Sequence, residues 1–369
     1  MSKMKYDIVI IGAGISGCVT ARRLADAGFK ILIIEKRGQL GGNCADEFDK
    51  HGILIHKYGP HIFHTNYEHV YKYLKKFTEF SNYKHKVLSN HKGKLYPIPI
   101  NLKTFNKFYH KNFDSEGMKK FLDEKREKID SIKNSRDVVV SRIGVELYDA
   151  FIKHYTKKQW DCYPKDLDKS VLERLPIRFD ENDFYFDDKY QGIPVNGFFN
   201  MFHKLVESPN ITIVFNTNYK NVIANIKFSK IICTAPIDEY FNYKFGKLKY
   251  RSLKFIFETY DTEFFQENSV INYPDPDIPY TRISEFKHIT GQKHKKTTIA
   301  KEIPTWVNEP MYPVPQKETK ELYLKYKELA DKLNDVYFIG RLGLYKYINI
   351  DVACKEALDL GDEIIQGNG

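Results

Sequence analysis

The sequence predicts an α/β fold: a discontinuous domain built on a parallel sheet, carrying an inserted helical domain and an antiparallel β-sheet domain. Three observations carry this reading. Residues 6–35 alternate strand, glycine-rich turn, helix and strand. Apolar strand-like segments that can rejoin that unit return near 211–233 and again near 335–339, the latter followed by a helix. Between these returns one stretch has helical periodicity and another reads as short strands broken by Pro, Gly and Asp.

Taken in order, Tyr6 to Ile11 is an apolar strand that runs into Gly12-Ala13-Gly14-Ile15-Ser16-Gly17. A helical stretch to Ala27, a stop at Gly28 and a second strand from Lys30 to Ile34 follow, closed by Glu35. This is a βαβ unit with G-x-G-x-x-G in its first turn, the Rossmann-like pattern. Gly12 permits the tight turn, Gly14 lets a pyrophosphate approach the backbone, and Gly17 lets helix and strand pack closely. The pyrophosphate meets the N–H groups and positive dipole end of the helix, and Glu35 is placed to accept from ribose hydroxyls. The doublet Gly41-Gly42 just past the second strand is similar to that of flavoproteins of the amine-oxidase type, although an ordinary turn reads the same way.

The middle of the chain predicts helices over 103–113, 115–131 and 137–160, then strands over 252–259, 269–273, 282–286 and 297–302. Strands near 211–215 and 230–233 return to the cofactor domain, as do a strand before Gly340-Arg341 and a helix from about Ile350. The expected partition is 1–80, 195–245 and 325–369 for the FAD-binding domain, 81–175 for the mainly helical domain with a mobile lid near 165–176, and 176–194 with 246–324 for the antiparallel sheet domain.

With 369 residues, 42% hydrophobic and 29% charged, the chain has ordinary globular usage and room for several domains. Its five cysteines are scattered and lack a C-x-x-C pair, which argues against a disulfide framework or zinc site and for a reducing cytoplasm. No apolar stretch is long enough to span a membrane, and the first strand starts too early to leave room for a signal peptide. The formal charge of +10 and 15% aromatic content read first as a Lys-rich solvated surface over a Tyr/Phe-rich core, with nucleic acid or a pocket for an anionic small ligand as the alternatives.

Several segments read as site rather than scaffold. His56-Lys57-Tyr58-Gly59-Pro60-His61-Ile62-Phe63-His64-Thr65 sets imidazoles around a Gly-Pro pair, with no acid or cysteine at ligand spacing to make a metal site. On a helix, Phe151 and Tyr155 share one face and Thr156 and Trp160 another, a base-stacking surface or plain core. Tyr and Arg recur together at Tyr250-Arg251, Tyr280-Thr281-Arg282 and Arg341 to Tyr347, as a diphosphate site requires.

These motifs, with Gly41-Gly42-Asn43, YTKKQW at 155–160, KYQGIPV at 189–195 and GRLGLYKY at 340–347, identify the chain as similar to the UDP-galactopyranose mutase family. The resemblance covers nearly the whole chain. It implies a redox-neutral isomerase that interconverts a UDP-hexopyranose and a UDP-hexofuranose through a covalent adduct with reduced FAD, without metal or nucleic acid, as a homodimer. It assigns FAD to Gly12, Gly14, Ser16, Gly17, Glu35, Lys36, Gly42, Asn43, His61, Ile62, Arg341, Asn349 and Ile350. It assigns the UDP-sugar to His85, Phe151, Tyr155, Thr156, Trp160, Arg174, Tyr185, Arg251, Asn272, Arg282, Tyr312 and Tyr347, with His61, Arg174 and Arg282 catalytic. Asn349, Phe184 and His85 depart from the family pattern, which leaves open a deoxy or N-acetyl hexose as the sugar. A rival reading is an amine-oxidase-like FAD oxidoreductase, whose site would be apolar rather than rich in Arg and Tyr.

Overall fold

The computed structural model describes residues 5–173 and 175–367. Five parallel strands form the first sheet, in the order Val336–Phe338, Lys230–Cys233, Ile8–Ile11, Ile31–Ile34 and Ile211–Val214. Ile8–Ile11 is central, with Ile8 opposite both Lys230 and Ile31. All four of its residues are buried, as an apolar run covered on both faces must be. Its side chains alternate: Ile8 and Ile10 pack with the helices Ile15–Ala25, Gly197–Val206 and Ile350–Gly367, whereas Val9 and Ile11 pack with Tyr219 and Cys233 on the other face. The returning segments near 211, 230 and 336 therefore all join the N-terminal unit, as the sequence predicts.

The turn between the first strand and first helix tolerates no side chain at Gly17. A Cβ there would lie 2.1 Å from the Gly12 carbonyl oxygen.

The helical lobe contains Leu102–Tyr109, Ser115–Lys125, Ser135–Leu147 and His154–Trp160, packed around Phe105, Met118, Val140, Leu147 and Phe151. Its first three helices start where the side chains of Asn101, Asp114 and Asn134 accept from backbone N–H groups three residues on. The single helix expected over 137–160 is broken. Gly144 leaves helical geometry at φ 78° and ψ 172°, and residues Tyr148–Lys153 form a π-helical turn before His154–Trp160. The lid segment is packed in this structure: Leu167, Val171 and Leu172 are buried in the lobe, and the Ser135 hydroxyl donates to the Asp168 carbonyl at 2.6 Å.

The second sheet has seven strands in the order Tyr312–Pro313, Tyr250–Tyr260, Thr297–Thr305, Arg282–Glu285, Val270–Asn272, Val87–His91 and Lys94–Ile98. It corrects two expectations. Residues 87–98 belong to this sheet rather than opening the helical lobe, and Val87–His91 pairs with Val270–Asn272 in parallel, so the sheet is mixed. The hairpin closes through Lys92 and Gly93, both at positive φ, which matches the twist of the strands it joins.

Gly17→Ala is expected to force helix and strand apart and lower the unfolding free energy by about 1–3 kcal/mol, as overpacking of a tight core does. Urea unfolding followed by circular dichroism checks this.

Candidate functional site

A cleft of about 1210 Å³ opens at the carboxyl ends of the parallel strands, where doubly wound sheets bind ligands. Of the residues expected to hold the dinucleotide, Gly12, Gly14, Ser16, Glu35, Lys36, Gly42, Asn43, His61, Arg341, Asn349 and Ile350 line it. Gly17 lies beneath the turn, and Ile62 faces a second cavity instead.

The cleft is built from backbone. Gly42 adopts φ +55°, and a Cβ on it would come within 2.9 Å of the Gly14 Cα, so only bare backbone lets the two turns meet. No side chain caps the helix Ile15–Ala25 at Gly14, which leaves its first N–H groups for an anion. The Glu35 carboxylate is buried and held by the N–H groups of Ala13 at 2.7 Å and Arg37 at 2.8 Å. Its remaining lone pairs suit ribose hydroxyls. This donor set fits a dinucleotide. Arg37, which sequence reasoning passed over, stacks over Tyr58 at 4.4 Å, pairs with Glu309 and donates to the Asn43 side chain, fixing the mouth of the cleft.

A second cavity of about 1390 Å³ lies between the lobe and the mixed sheet. Its wall includes His85, Tyr155, Tyr185, Asn272, Arg282, Tyr312 and Tyr347 from the expected substrate set, and shares His61, Arg341, Asn349 and Ile350 with the first cleft. The two cavities adjoin along these four residues. Arg282 Nε lies 2.7 Å from Glu302 Oε2 at its floor, an ion pair without an aligned hydrogen bond, while Ser284 donates to Glu302 Oε1 at 3.2 Å. Burial alone would lower the Arg282 pKa, but Glu302, Tyr155 and Tyr312 raise it overall, so the guanidinium stays charged. Burial raises the pKa of Glu302 against the pull of Arg282. Tyr312 and Tyr347 stack at 5.7 Å, and the Arg341 guanidinium sits 5.2 Å and 4.9 Å from their rings while donating to the Ile348 carbonyl. Burial pushes the Tyr312 hydroxyl up to about 12, so it stays a donor. Two guanidiniums against one buried carboxylate leave an excess positive charge, suited to an anion.

His61 and His56 are held neutral. Burial pushes the His61 ring down to about 4, reinforced by Arg341 and Arg282 against the opposing Gly59 bond, and the His56 ring down to about 3. The His61 Nδ1 lies 2.9 Å from the Gly59 carbonyl, which can only accept, so Nε2 is the free acceptor. The His61 N–H donates to His56 Nδ1 at 3.0 Å, tying the strand end to the site.

Other expected residues lie elsewhere. Phe151 is buried in the lobe against Tyr96 and His91, and Thr156 is also buried. Trp160 reaches the site only through Tyr312, edge-on at 6.5 Å. Arg251 donates to the Gln159 and Lys158 carbonyls at 2.9 and 3.0 Å, closing the end of the helix His154–Trp160 rather than facing the cavity. Phe184 lies under Lys84 and Lys86, away from the cavity wall. Arg174 lies outside the described residues. Sequence reasoning missed Glu302, whose signal is an acid across the sheet from Arg282 in register.

Among the described residues no helix is long and apolar enough to cross a membrane.

A Rossmann-type cleft that shares a wall with a cationic, tyrosine-lined cavity defines a dinucleotide-binding protein that brings an anionic ligand against its cofactor. The profile of the UDP-galactopyranose mutase family matches residues 150–347, and that of NAD(P)-binding Rossmann-like domains matches residues 10–77. The chain belongs to the UDP-galactopyranose mutase family. It is 36% identical to a dTDP-fucopyranose mutase of Escherichia coli, over 98% of this chain and 99% of that one. It is also 36% identical to a probable UDP-galactopyranose mutase of Klebsiella pneumoniae, over 97% and 94%. A crystal structure of reduced UDP-galactopyranose mutase superposes with a TM-score of 0.80 at 17% identity, covering 98% of this chain and 96% of that one, a likeness of fold.

The buried histidines predict a pH dependence. Their folded pKa values lie below the ordinary 6.5, so below that pH the unfolded chain binds protons the folded chain refuses. Their contribution to stability is therefore flat above neutrality and falls as pH drops from 6.5 towards 4. His56→Gln is expected to lessen the loss between pH 7 and 5 by about 2 kcal/mol, read by urea unfolding at the two pH values.

Proposed function

We propose that the protein interconverts a UDP-hexopyranose and its UDP-hexofuranose, with UDP-galactose as the sugar nucleotide, using reduced FAD in the Rossmann-type cleft. The observation that carries this is the shared wall of His61, Arg341, Asn349 and Ile350, which sets a diphosphate-binding cavity directly against the cofactor cleft. An oxidase of the amine-oxidase type is expected to have an apolar site, not Arg282 and five tyrosines beside its cofactor. Reduced FAD, when bound, supplies a nucleophilic ring nitrogen to a reaction with no net oxidation.

The chain's own residues do the rest. Backbone at Gly12, Gly14 and Gly42 and the first helix hold the cofactor pyrophosphate, and Glu35 orients its ribose. Arg282, with Tyr155, Tyr185, Tyr312 and Tyr347, receives the sugar-nucleotide diphosphate and stabilises the charge that grows on it as the glycosidic bond breaks. Arg174 has the same role by family resemblance. His61, neutral and with Nε2 free, is an acceptor beside the cofactor; Arg341, stacked on two tyrosines, holds the wall between the ligands. His85 and Asn349, both in the wall of the second cavity, favour a second reading: a mutase of the same family acting on a deoxy or N-acetyl hexose. The unpaired thiols support a cytoplasmic location, and family resemblance a homodimer.

Purified protein is expected to release FAD on denaturation and to turn over UDP-galactose after dithionite reduction. Equal turnover by air-oxidised and reduced enzyme would overturn this function. Arg282→Ala is expected to lower kcat/KM about 10- to 150-fold, the worth of a charge-assisted contact, with poor rescue by Lys because a point charge cannot reproduce the planar fork. Steady-state kinetics of the three proteins check this.

A further inference from the structure

The wall of the second cavity carries a histidine whose hydrogen-bonding role the structure fixes. We propose that His85 selects the hexose by presenting Nε2 as an acceptor to one sugar hydroxyl, and that Tyr83 is the positioning residue that holds the ring in that tautomer. The inference rests on the nucleotide-sugar reading above.

The assignment follows from a chain of hydrogen bonds that ends on a group able only to accept. The Ser269 hydroxyl lies 3.4 Å from the Lys86 carbonyl oxygen and donates to it. Tyr83 donates to the Ser269 oxygen at 2.7 Å. With its one proton committed, the Tyr83 oxygen receives the Nδ1–H of His85 at 2.9 Å. Nε2 therefore carries a lone pair, on a ring that lines the cavity. The ring is also fixed in place. It lies 5.9 Å from Phe186 at 26° and 5.6 Å from Tyr185 at 65°, and His64, also in the cavity wall, stacks on Phe186 at 3.6 Å. His64 is itself tied through Nδ1 to Asp188 at 2.8 Å. Burial first, then Arg282 and His64, push the His85 pKa down to about 3, so the ring stays neutral during turnover.

Ile62, Val87, Val270 and Phe186 line the same cavity, together with the polar His64, Tyr185, Asn272 and Arg282. A side-chain amide in this place could turn to donate or accept. A locked imidazole only accepts. The site therefore favours a sugar that places a hydroxyl donor at this point. It rejects an analogue with hydrogen or fluorine there, because neither can donate to Nε2.

The test uses reduced full-length enzyme and UDP-galactose analogues in which each hydroxyl other than the ring-closing one is replaced by hydrogen or by fluorine. At one position both replacements are expected to lower wild-type kcat/KM about tenfold or more, the scale on which an unpaired buried group discriminates. His85→Phe keeps the ring stack, and with it the loss at that position is expected to shrink to about twofold or less, with Tyr83→Phe intermediate. Equal losses in wild type and His85→Phe, or no sensitive position, overturn the proposal. No turnover of any sugar nucleotide, parent included, instead overturns the proposed function. A readout free of activity is the side-chain ¹⁵N spectrum of His85, assigned by its disappearance in His85→Asn. A protonated Nδ1 and an unprotonated Nε2 are expected, and a protonated Nε2 in the wild type overturns the proposal even if His85→Phe fails to fold.

Discussion

The site depends on the pairing of the first and last helices of the chain. Thr20 lets its hydroxyl reach both the Ser16 and the Ala357 carbonyls, at 2.9 and 3.3 Å, and Arg23 meets Asp362 at 2.6 Å. Cys18, Ala21 and Leu24 pack with Ala357, Leu358 and Ile364 in one core. Small residues at this seam let the helices approach closely. Their packing brings Arg341, Asn349 and Ile350 to the cleft formed by Gly12 and Gly14, more than 300 residues earlier in the chain. Every other lobe is inserted between these two helices, so the ligand cavity can only form where the insertions meet the carboxyl edge of the parallel sheet.

Electrostatics then divides the labour. Glu302 is buried and nearly sealed, and taking it from water is costly unless a cation stays beside it. Arg282 answers that need while turning the rest of its fork to the cavity wall. Gly59 leaves the room: a Cβ there would lie 3.1 Å from Glu302 Oε1. Burial keeps His61 and His85 neutral near this pair, and the guanidiniums of Arg282 and Arg341 supply positive charge where a diphosphate gains most from it.

Much of this was legible because it is local. The βαβ unit, its glycines and Glu35 announce themselves through spacing, and Gly41-Gly42 lies within the same short stretch. The returning strands were legible from their apolar runs. The break at Gly144 and the π-helical turn were hidden because Val138 to Trp160 keeps apolar residues at helical spacing through both. The hairpin 87–98 carried a Lys-Gly turn signal that was passed over, while its parallel pairing to Val270 is a contact nearly 200 residues away that no local pattern encodes. The Tyr and Arg pairs were read as one group; Arg282, Arg341 and Tyr347 line the second cavity, whereas Arg251 is consumed by helix carbonyls and Phe151 by the lobe's core. Residue type pointed to an anionic ligand; which members of each type reach the cavity was decided by packing.

The central claim is that cofactor cleft and anion cavity act as one site for a redox-neutral isomerisation. Liquid chromatography with mass detection of the products formed by reduced enzyme from UDP-galactose tests it most directly. The account predicts a new species of unchanged mass and different retention, formed without stoichiometric loss of the reductant. A product lighter by two hydrogens, accumulating in step with an electron acceptor, would contradict it.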